Sequence, residues 1–223
     1  MSGQTAPSLP TDLAVAVAEA VEVLRQGGVV VYPTDTVYGL GADAFNEAAV
    51  ERVFEIKGRP AGLPIPLLLG SLDQLLLAVE EVPPLARKLA GQFWPGALTL
   101  ALPKAPGVPA LVSARGWTVG VRVPGHPVPR ELARLLGRPI TGTSANQSGG
   151  PSPRTAEEAR TQVGGLVDLV IDGGPAPLGR ESTVLDLTGP VPRILREGAV
   201  PKEALEGFLG LTLAVAAPPK KGG

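Results

Sequence analysis

The chain has 223 residues, with 20 Lys and Arg against 21 Asp and Glu, a formal charge of −1, and 44% hydrophobic residues. This length and composition suffice for one large domain with a buried core, which excludes a disordered chain. The near-neutral charge argues against a broad basic surface for nucleic acid. With no cysteine and one histidine, the chain cannot form disulfides, thiolate metal sites, cysteine nucleophiles or centres with several histidines.

The start of the chain is not expected to be a signal peptide, and no stretch of the chain is expected to be a membrane helix. Residues 1–10 lack the basic and apolar regions of a signal peptide, and no apolar run approaches the ~20 residues of a membrane helix. We therefore expect a cytoplasmic protein with no membrane contact. Its expected organisation is a flexible N-terminal arm over 1–10, one folded domain over 11–210 and a flexible tail over 211–223.

The first elements alternate between helix and strand. Thr11 or Asp12 is expected to cap a helix whose apolar side chains recur at helical spacing. An apolar run over 29–31 then predicts a short buried strand. Asn46 is expected to cap the next helix, and Gly58 to end it.

A polar turn over 32–41 follows the first strand. It contains several hydroxyls, one carboxylate and two glycines. Glycine lets the backbone bend close to a ligand, while Thr and Asp supply compact donors and acceptors. The turn is therefore a candidate ligand loop, although a plain strand-to-helix connection is the favoured interpretation when the turn is taken alone.

Two basic residues at the end of the second helix differ in their setting. Lys57 lies in the last turn, where a cation suits the helix dipole. Arg59 precedes Pro60, which favours extended backbone and so fixes the direction of the arginine side chain. Arg59 is therefore the stronger candidate for ligand contact.

The second half of the chain repeats the pattern of strand followed by polar loop. An alternating strand places Thr118 and Arg122 on one face. His126, between Gly and Pro, is expected to be a turn residue and not a general base. A buried strand over 139–143 leads into a hydroxyl-rich loop over 144–153. The remaining expected elements are strands over 166–171, 182–187 and 193–196, and helices that follow Thr155 and Pro201.

Hydroxyl-rich loops and arginines thus accompany several strand ends. The arginines are Arg59, Arg122 and Arg196. Arginine forks with small hydroxyl donors are what a polyphosphate or carboxylate ligand requires. Neither a P-loop nor a Gly-x-Gly-x-x-Gly turn is present in the sequence, so a nucleotide would need another kind of cradle.

Nine sequence blocks occur in a fixed order between about residues 13 and 209. They are Pro33-Thr34-Asp35-Thr36-Val37-Tyr38-Gly39-Leu40, Lys57-x-Arg59-Pro60, Phe93-Trp94-Pro95-Gly96, Val121-Arg122-Val123-Pro124-x-His126-Pro127, Ser144-Ala145-Asn146-x-Ser148-Gly149, Ser152-Pro153, Asp172-Gly173-Gly174, Glu181-Ser182-Thr183-Val184 and Leu195-Arg196-x-Gly198. Together they resemble the YrdC-like threonylcarbamoyl-adenylate synthases of the single-domain bacterial type. Each block alone is weak, but nine in order are specific.

The resemblance implies a fold and a reaction. The fold is α/β, a single domain with a twisted mixed parallel and antiparallel sheet, flanking helices and a basic concave cavity. The reaction joins L-threonine, bicarbonate or CO2, and ATP into threonylcarbamoyl-adenylate and pyrophosphate. A separate transferase complex would then use the product to make threonylcarbamoyladenosine on tRNA, and weak tRNA binding by the chain itself stays open.

The resemblance also implies roles for residues. The expected threonine-binding residues are Thr36, Arg122 and Ser182. The expected ATP-binding residues are Lys57, Arg59, Thr118, Ser144, Asn146, Ser152 and Arg196. Among them Lys57 and Arg59 would stabilise charge, since attack on a phosphate depends mainly on positioning and electrostatics. Mg²⁺ is expected to accompany ATP, with no organic cofactor and no metal-ligating residue assigned.

Two departures and two rival functions remain. Leu63 and Leu68 stand where some longer family members carry a ligand-contacting Asn and His, and those members also have a further C-terminal domain. The same domain occurs in a protein that makes carbamoyl-adenylate, but that protein has cysteine zinc motifs, which this chain lacks. An RNA-binding or ribosome-assembly factor is the other alternative, disfavoured by the charge and by the absence of RNA-binding motifs.

Overall fold

The computed structural model describes residues 9–216, which form seven α-helices and eleven β-strands. The helices are α1 (Thr11–Arg25), α2 (Glu47–Lys57), α3 (Leu75–Ala78), α4 (Pro84–Phe93), α5 (Pro127–Leu136), α6 (Ala156–Val163) and α7 (Lys202–Leu209). The strands are β1 (Val30–Tyr32), β2 (Gly39–Gly41), β3 (Leu67–Leu68), β4 (Leu98–Pro103), β5 (Thr118–Arg122), β6 (Ile140–Thr141), β7 (Thr143–Ser144), β8 (Leu169–Val170), β9 (Thr183–Asp186), β10 (Arg193–Arg196) and β11 (Ala214–Val215). None of the helices in this part of the chain is long and apolar enough to cross a membrane.

The strands form two mixed sheets. One has the order β7-β2-β1-β8 and the other the order β11-β10-β9-β4-β5-β3-β6. The sheets meet where the chain passes from β6 to β7 through Gly142, whose N–H donates to the carbonyl of Pro66 at 2.7 Å. A side chain at Gly142 would come within 2.7 Å of Leu68, so only glycine fits this crossing.

Apolar residues on both sheets bury two cores. The larger core collects side chains of β3, β4, β5 and β9 with α2, α4 and α6. The smaller core packs α1 and α5 over β1, using the predicted apolar face of α1 at Val17, Ala20, Val21 and Leu24. The polar loops that follow the strands are thereby fixed on a rigid scaffold.

Local signals placed most element ends correctly. The side chains of Asn46, His126 and Thr155 each accept a backbone N–H in the first turn of α2, α5 and α6. Gly58 ends α2 in the left-handed conformation, with φ 56°. His126 is therefore a capping residue in a turn, as the sequence predicts.

Three expectations differ from the structure. Thr11 and Asp12 lie inside α1, because extended Pro10 occupies the N-cap and makes no side-chain hydrogen bond. The strands form two sheets where one was expected, because the chain changes sheets at Gly142. The expected flexible tail over 211–223 contains strand β11, since the open edge of β10 offers backbone partners. Residues 1–8 of the expected arm and 217–223 of the tail lie outside the described residues.

The ring of Tyr32 covers the glycines of β2 and generates a stability prediction. A side chain at Gly41 would come within 2.5 Å of this fully buried ring. Gly41→Ala should therefore lower the free energy of unfolding by about 1–3 kcal/mol, as in other overpacked cores. Gly207→Ala is the control, because Gly207 lies in α7 with open space around it. It should raise the stability by about 0.5–1 kcal/mol. Urea unfolding measures both, and equal effects would contradict the packing argument.

Candidate functional site

A cavity of about 750 Å³ contains every site residue selected from the sequence. It lies between the two sheets' polar loops and is also lined by Leu63, Glu181 and Glu197. The selected residues on its lining are Thr36, Lys57, Arg59, Thr118, Arg122, Ser144, Asn146, Ser152, Ser182 and Arg196. The sequence blocks that carry them are thus neighbours in space.

Lys57 is buried at the C-terminal end of α2, with 2% of its surface exposed. Its Nζ donates to the carbonyl of Ser144 at 2.5 Å, to the carbonyl of Asn146 at 2.8 Å and to Asn146 Oδ1 at 2.9 Å. An ammonium has three protons, so these contacts use all of them. Lys57 therefore holds the loop after β7 in shape. Burial, with Arg59 nearby, lowers the pKa of Lys57 to about 8, while Glu181 acts in the opposite direction.

Arg122 is a second buried cation, at the end of β5. Its Nη2 forms an ion pair with the carboxylate of Asp35, its Nη1 donates to Thr36 Oγ1 at 3.1 Å, and its Nε donates to the carbonyl of Gly96 at 2.8 Å. Burial lowers the pKa of Arg122 and the nearby Asp35 raises it. The guanidinium is thus fixed in direction before any ligand binds.

The threonine hydroxyls in the turn after β1 form a chain of hydrogen bonds. Thr34 Oγ1 donates to the carbonyl of Val37 at 2.6 Å and lies 2.8 Å from Thr36 Oγ1. Because Thr34 has one hydroxyl proton, the Thr36 hydroxyl must be the donor to Thr34. Thr36 Oγ1 accepts from Arg122 in turn. The turn therefore contributes to the cavity lining and also connects two strands.

A third group surrounds Arg196 at the end of β10. Arg196 Nη1 lies 2.5 Å from Glu181 Oε2, and Ser152 Oγ donates to Glu181 Oε1 at 2.8 Å. Arg196 Nη2 also donates to the carbonyl of Ser182 at 3.0 Å and to its Oγ at 3.2 Å. The Ser182 hydroxyl is 2.8 Å from Thr99 Oγ1. One carboxylate thus bridges a serine and an arginine in a cavity that is otherwise rich in cations.

The remaining selected residues line the cavity with fewer contacts. Arg59 donates to the carbonyls of Leu63 and Pro64, at 3.2 and 2.9 Å, which keeps its guanidinium at the rim. Ser144 Oγ donates to Asn146 Oδ1 at 2.6 Å. Thr118 lies half-buried at the start of β5.

The two departures from the resemblance have different surroundings. Leu63 lines the cavity with an apolar side chain. Leu68 is buried in the smaller core and contributes nothing to the cavity lining. No polar contact to a ligand can therefore come from the side chain at either position.

Comparison with known proteins decides the family. The family model for Sua5, YciO and YrdC proteins, described as telomere recombination, matches residues 22–198. The chain belongs to the Sua5/YciO/YrdC family. The resemblance read from the nine blocks is therefore confirmed.

Relatives of this family member include proteins named threonylcarbamoyl-AMP synthase. The one from Pyrococcus abyssi is 46% identical over 191 residues, which are 86% of this chain and 56% of that protein. The one from Vibrio vulnificus is 36% identical over 182 residues, which are 81% of this chain and 97% of that protein. The chain thus spans about half the length of the first and nearly all of the second.

The solved structure of P. abyssi Sua5 complexed with L-threonine has the same fold. Its TM-score to this chain is 0.87 at 44% identity, covering 90% of this chain and 58% of that one. This match confirms the mixed α/β fold expected from the sequence.

Sequence reasoning missed two carboxylates of this Sua5/YciO/YrdC site. Asp35 lies within the first block and pairs with Arg122, and Glu181 opens the eighth block and pairs with Arg196. Their presence inside the blocks was the available signal. A carboxylate is not an obvious partner for anionic ligands, so residue type alone does not point to either one.

The buried Arg122–Asp35 pair gives a stability prediction. Arg122→Ala should lower the free energy of unfolding by about 3–5 kcal/mol, because Asp35 would stay buried without its partner. Adding Asp35→Asn should recover part of the loss in urea unfolding. Arg138→Ala is the matched control, because Arg138 pairs with Asp43 but its side chain is 58% exposed; its loss should not exceed about 1 kcal/mol. Equal losses for Arg122→Ala and Arg138→Ala would refute the assignment.

The lowered pKa of Lys57 gives a pH prediction. Its value of about 8 lies below the ordinary lysine value of 10.5, so between these pH values the unfolded chain holds a proton that the folded chain has released. The contribution of Lys57 to stability should therefore rise with pH across this window, by up to about 1.4 kcal/mol per unit, and stay constant below it.

NMR titration of the lysine side chains measures this pKa directly. One resonance should titrate near pH 8, and Lys57→Met, which keeps the straight chain without the charge, should remove that resonance. If the resonance lost in the variant titrates at the ordinary lysine value, the buried-ammonium interpretation is wrong.

Proposed function

We propose that the chain is an L-threonylcarbamoyladenylate synthase. The amine of L-threonine bonds to the carbon of CO2 with loss of a proton, or to that of bicarbonate with loss of water, and an oxygen of the new carboxylate bonds to the α-phosphorus of ATP. The bond from that phosphorus to the bridging oxygen breaks, and pyrophosphate leaves. The observation that carries this proposal is the convergence of all ten selected side chains on one cavity, in a family whose relatives bear the synthase name.

Arg122, Thr36 and Ser182 form the threonine end. Arg122 uses three of the five N–H groups of a guanidinium for internal contacts. One N–H group remains on Nη1 and one on Nη2, and a guanidinium with two such donors suits a carboxylate ligand. The hydroxyls of Thr36 and Ser182 are within reach of the same ligand along the lining. Threonine would thus be bound through its carboxylate and hydroxyl.

The nucleotide end comprises Arg59, Arg196, Ser144, Ser152 and Thr118. Arginines and hydroxyls held by internal hydrogen bonds suit phosphate oxygens, whose charge shifts towards the leaving pyrophosphate during the reaction. Most of these side chains are oriented in advance, so reorganisation on nucleotide binding would be confined to the contacts that Arg196 and Ser152 make with Glu181.

Lys57 and Asn146 act on the same ligand indirectly. Because all three Lys57 protons are engaged by the loop after β7, Lys57 supports nucleotide binding by fixing that loop and by its positive field. Asn146 donates from Nδ2 to the carbonyl of Gly150 at 2.7 Å and so closes the same loop. These contacts support a charge-stabilising role for Lys57 without direct coordination of a phosphate.

Mg²⁺ fits the chemistry of the nucleotide end, because phosphate oxygens and the hydroxyl oxygens of Ser144, Ser152 and Thr118 are the kind of ligand that this ion prefers. Bound to the phosphates, it would supply charge neutralisation for the leaving group. The product would pass to a tRNA-modifying transferase complex in the cytoplasm, and direct tRNA contact by this chain remains a separate prediction.

Pyrophosphate release tests the proposal. Release from ATP should require L-threonine and bicarbonate together, and mass analysis should identify threonylcarbamoyl-adenylate. Equal release with carbamoyl phosphate in place of threonine would favour the carbamoyl-adenylate reaction. A salt-dependent RNA shift without any ATP turnover would favour an RNA-binding factor.

A matched pair of arginine variants locates this activity in the cavity. Arg59→Ala should lower the rate about 10²-fold, as for lost charge-stabilising contacts. Arg87→Ala changes an exposed arginine on α4 and should leave the rate unchanged. Similar rates for both variants would place the chemistry elsewhere.

A further inference from the structure

Glu181 has an unusual position in the cavity that we assign to the nucleotide. Its carboxylate lies between Arg196 and Ser152, and its side chain is 36% exposed. Lys57 and Arg59 line the same cavity. A negative group in this position opposes the binding of a bare polyphosphate, because like charges repel.

Phosphate binding would also separate Glu181 from its partners. Glu181 pairs with Arg196 Nη1 and accepts from the Ser152 hydroxyl, so phosphate oxygens that take these two donors would displace it. Once phosphates take these donors, the carboxylate is left beside them without a partner. A half-buried, uncompensated charge of this kind is costly. A cation bound to both the carboxylate and the phosphates removes this cost.

We propose that Glu181 is the protein ligand of the divalent cation that accompanies the nucleotide. This inference rests on the proposed function. Mg²⁺ in nucleotide sites is usually held by one or two carboxylates together with phosphate oxygens and water, and Glu181 supplies such a carboxylate. On nucleotide binding, Glu181 exchanges Arg196 and Ser152 for the metal, while the phosphates take Arg196 and Ser152.

The surroundings agree with a cation that enters with its nucleotide. Within residues 9–216 there is no cluster of three or more His, Asp or Glu able to hold a metal without a ligand. Glu181 and Ser152 also line a second cavity of about 740 Å³. Because Mg²⁺ is usually held by one or two carboxylates together with phosphate oxygens, we expect tight metal binding only when the nucleotide is bound.

Calorimetry with α,β-methylene ATP, in Mg²⁺ or in EDTA, tests the proposal on the whole chain. Magnesium should tighten binding to the wild-type protein. In Glu181→Gln, the analogue should bind at least as tightly without metal, because a repulsive charge is removed. The increase in affinity for the analogue that magnesium produces should fall by at least about tenfold. A loss of this size is found even when a residue that hydrogen-bonds to a metal ligand is changed.

Glu197→Gln is the matched control. Glu197 is an exposed carboxylate on the lining of the same cavity, so its loss removes an equal charge. The ratio of affinities with and without magnesium should stay at the wild-type value in this variant. A reduced ratio in both variants would show a general charge effect and overturn the proposal.

A second measurement covers the case of a poorly folded Gln variant. Glu181→Asp keeps the charge with a shorter reach and should retain only part of the magnesium gain. Electron paramagnetic resonance of Mn²⁺ should show tight metal binding only when protein and analogue are both present. A wild-type ratio in both Glu181 variants overturns the metal role alone. Failure of the wild-type protein to bind the analogue in either condition overturns the proposed function as well.

Discussion

The buried ammonium of Lys57 is the interaction on which the candidate site depends. It joins the end of α2 to the loop after β7 by donating to three oxygens of Ser144 and Asn146. Without that cation, two carbonyls and an amide oxygen would face one another with no shared donor, which is costly when buried. The loop therefore keeps one shape, and Ser144 stays at the junction between the two sheets.

Arg122 applies the same principle at the other end of the cavity. Its guanidinium is held by Asp35 and Thr36 of the turn after β1 and by the backbone of Gly96, so these contacts come from two separate segments. Each buried cation is thus satisfied by internal oxygens before a substrate is present. A site built in this way has its charges oriented in advance, which is the main requirement of phosphoryl transfer.

The sequence predicts the features that depend on nearby residues and those that the ordered blocks contain. Caps such as Asn46 and Thr155 follow from hydrogen bonds within a few residues, and the ordered blocks predict the family and the residues of the cavity. Pairings across the fold have no local signal. Arg122 meets Asp35 from 87 positions away, and the role of Gly142 depends on Leu68, which joins it only in the folded chain.

The two internal carboxylates explain why such a site can both bind and release anions. In the proposed reaction the threonine carboxylate shares Arg122 with Asp35, and the phosphates displace Glu181 from Arg196. The nucleotide is therefore held by the difference between two sets of contacts, and its ground state is bound only moderately, while threonine would use the N–H groups of Arg122 that make no internal contact. The oriented cations retain their full effect for the charge that develops on the leaving pyrophosphate. Interactions that are stronger in the transition state than in the ground state are those that raise the rate.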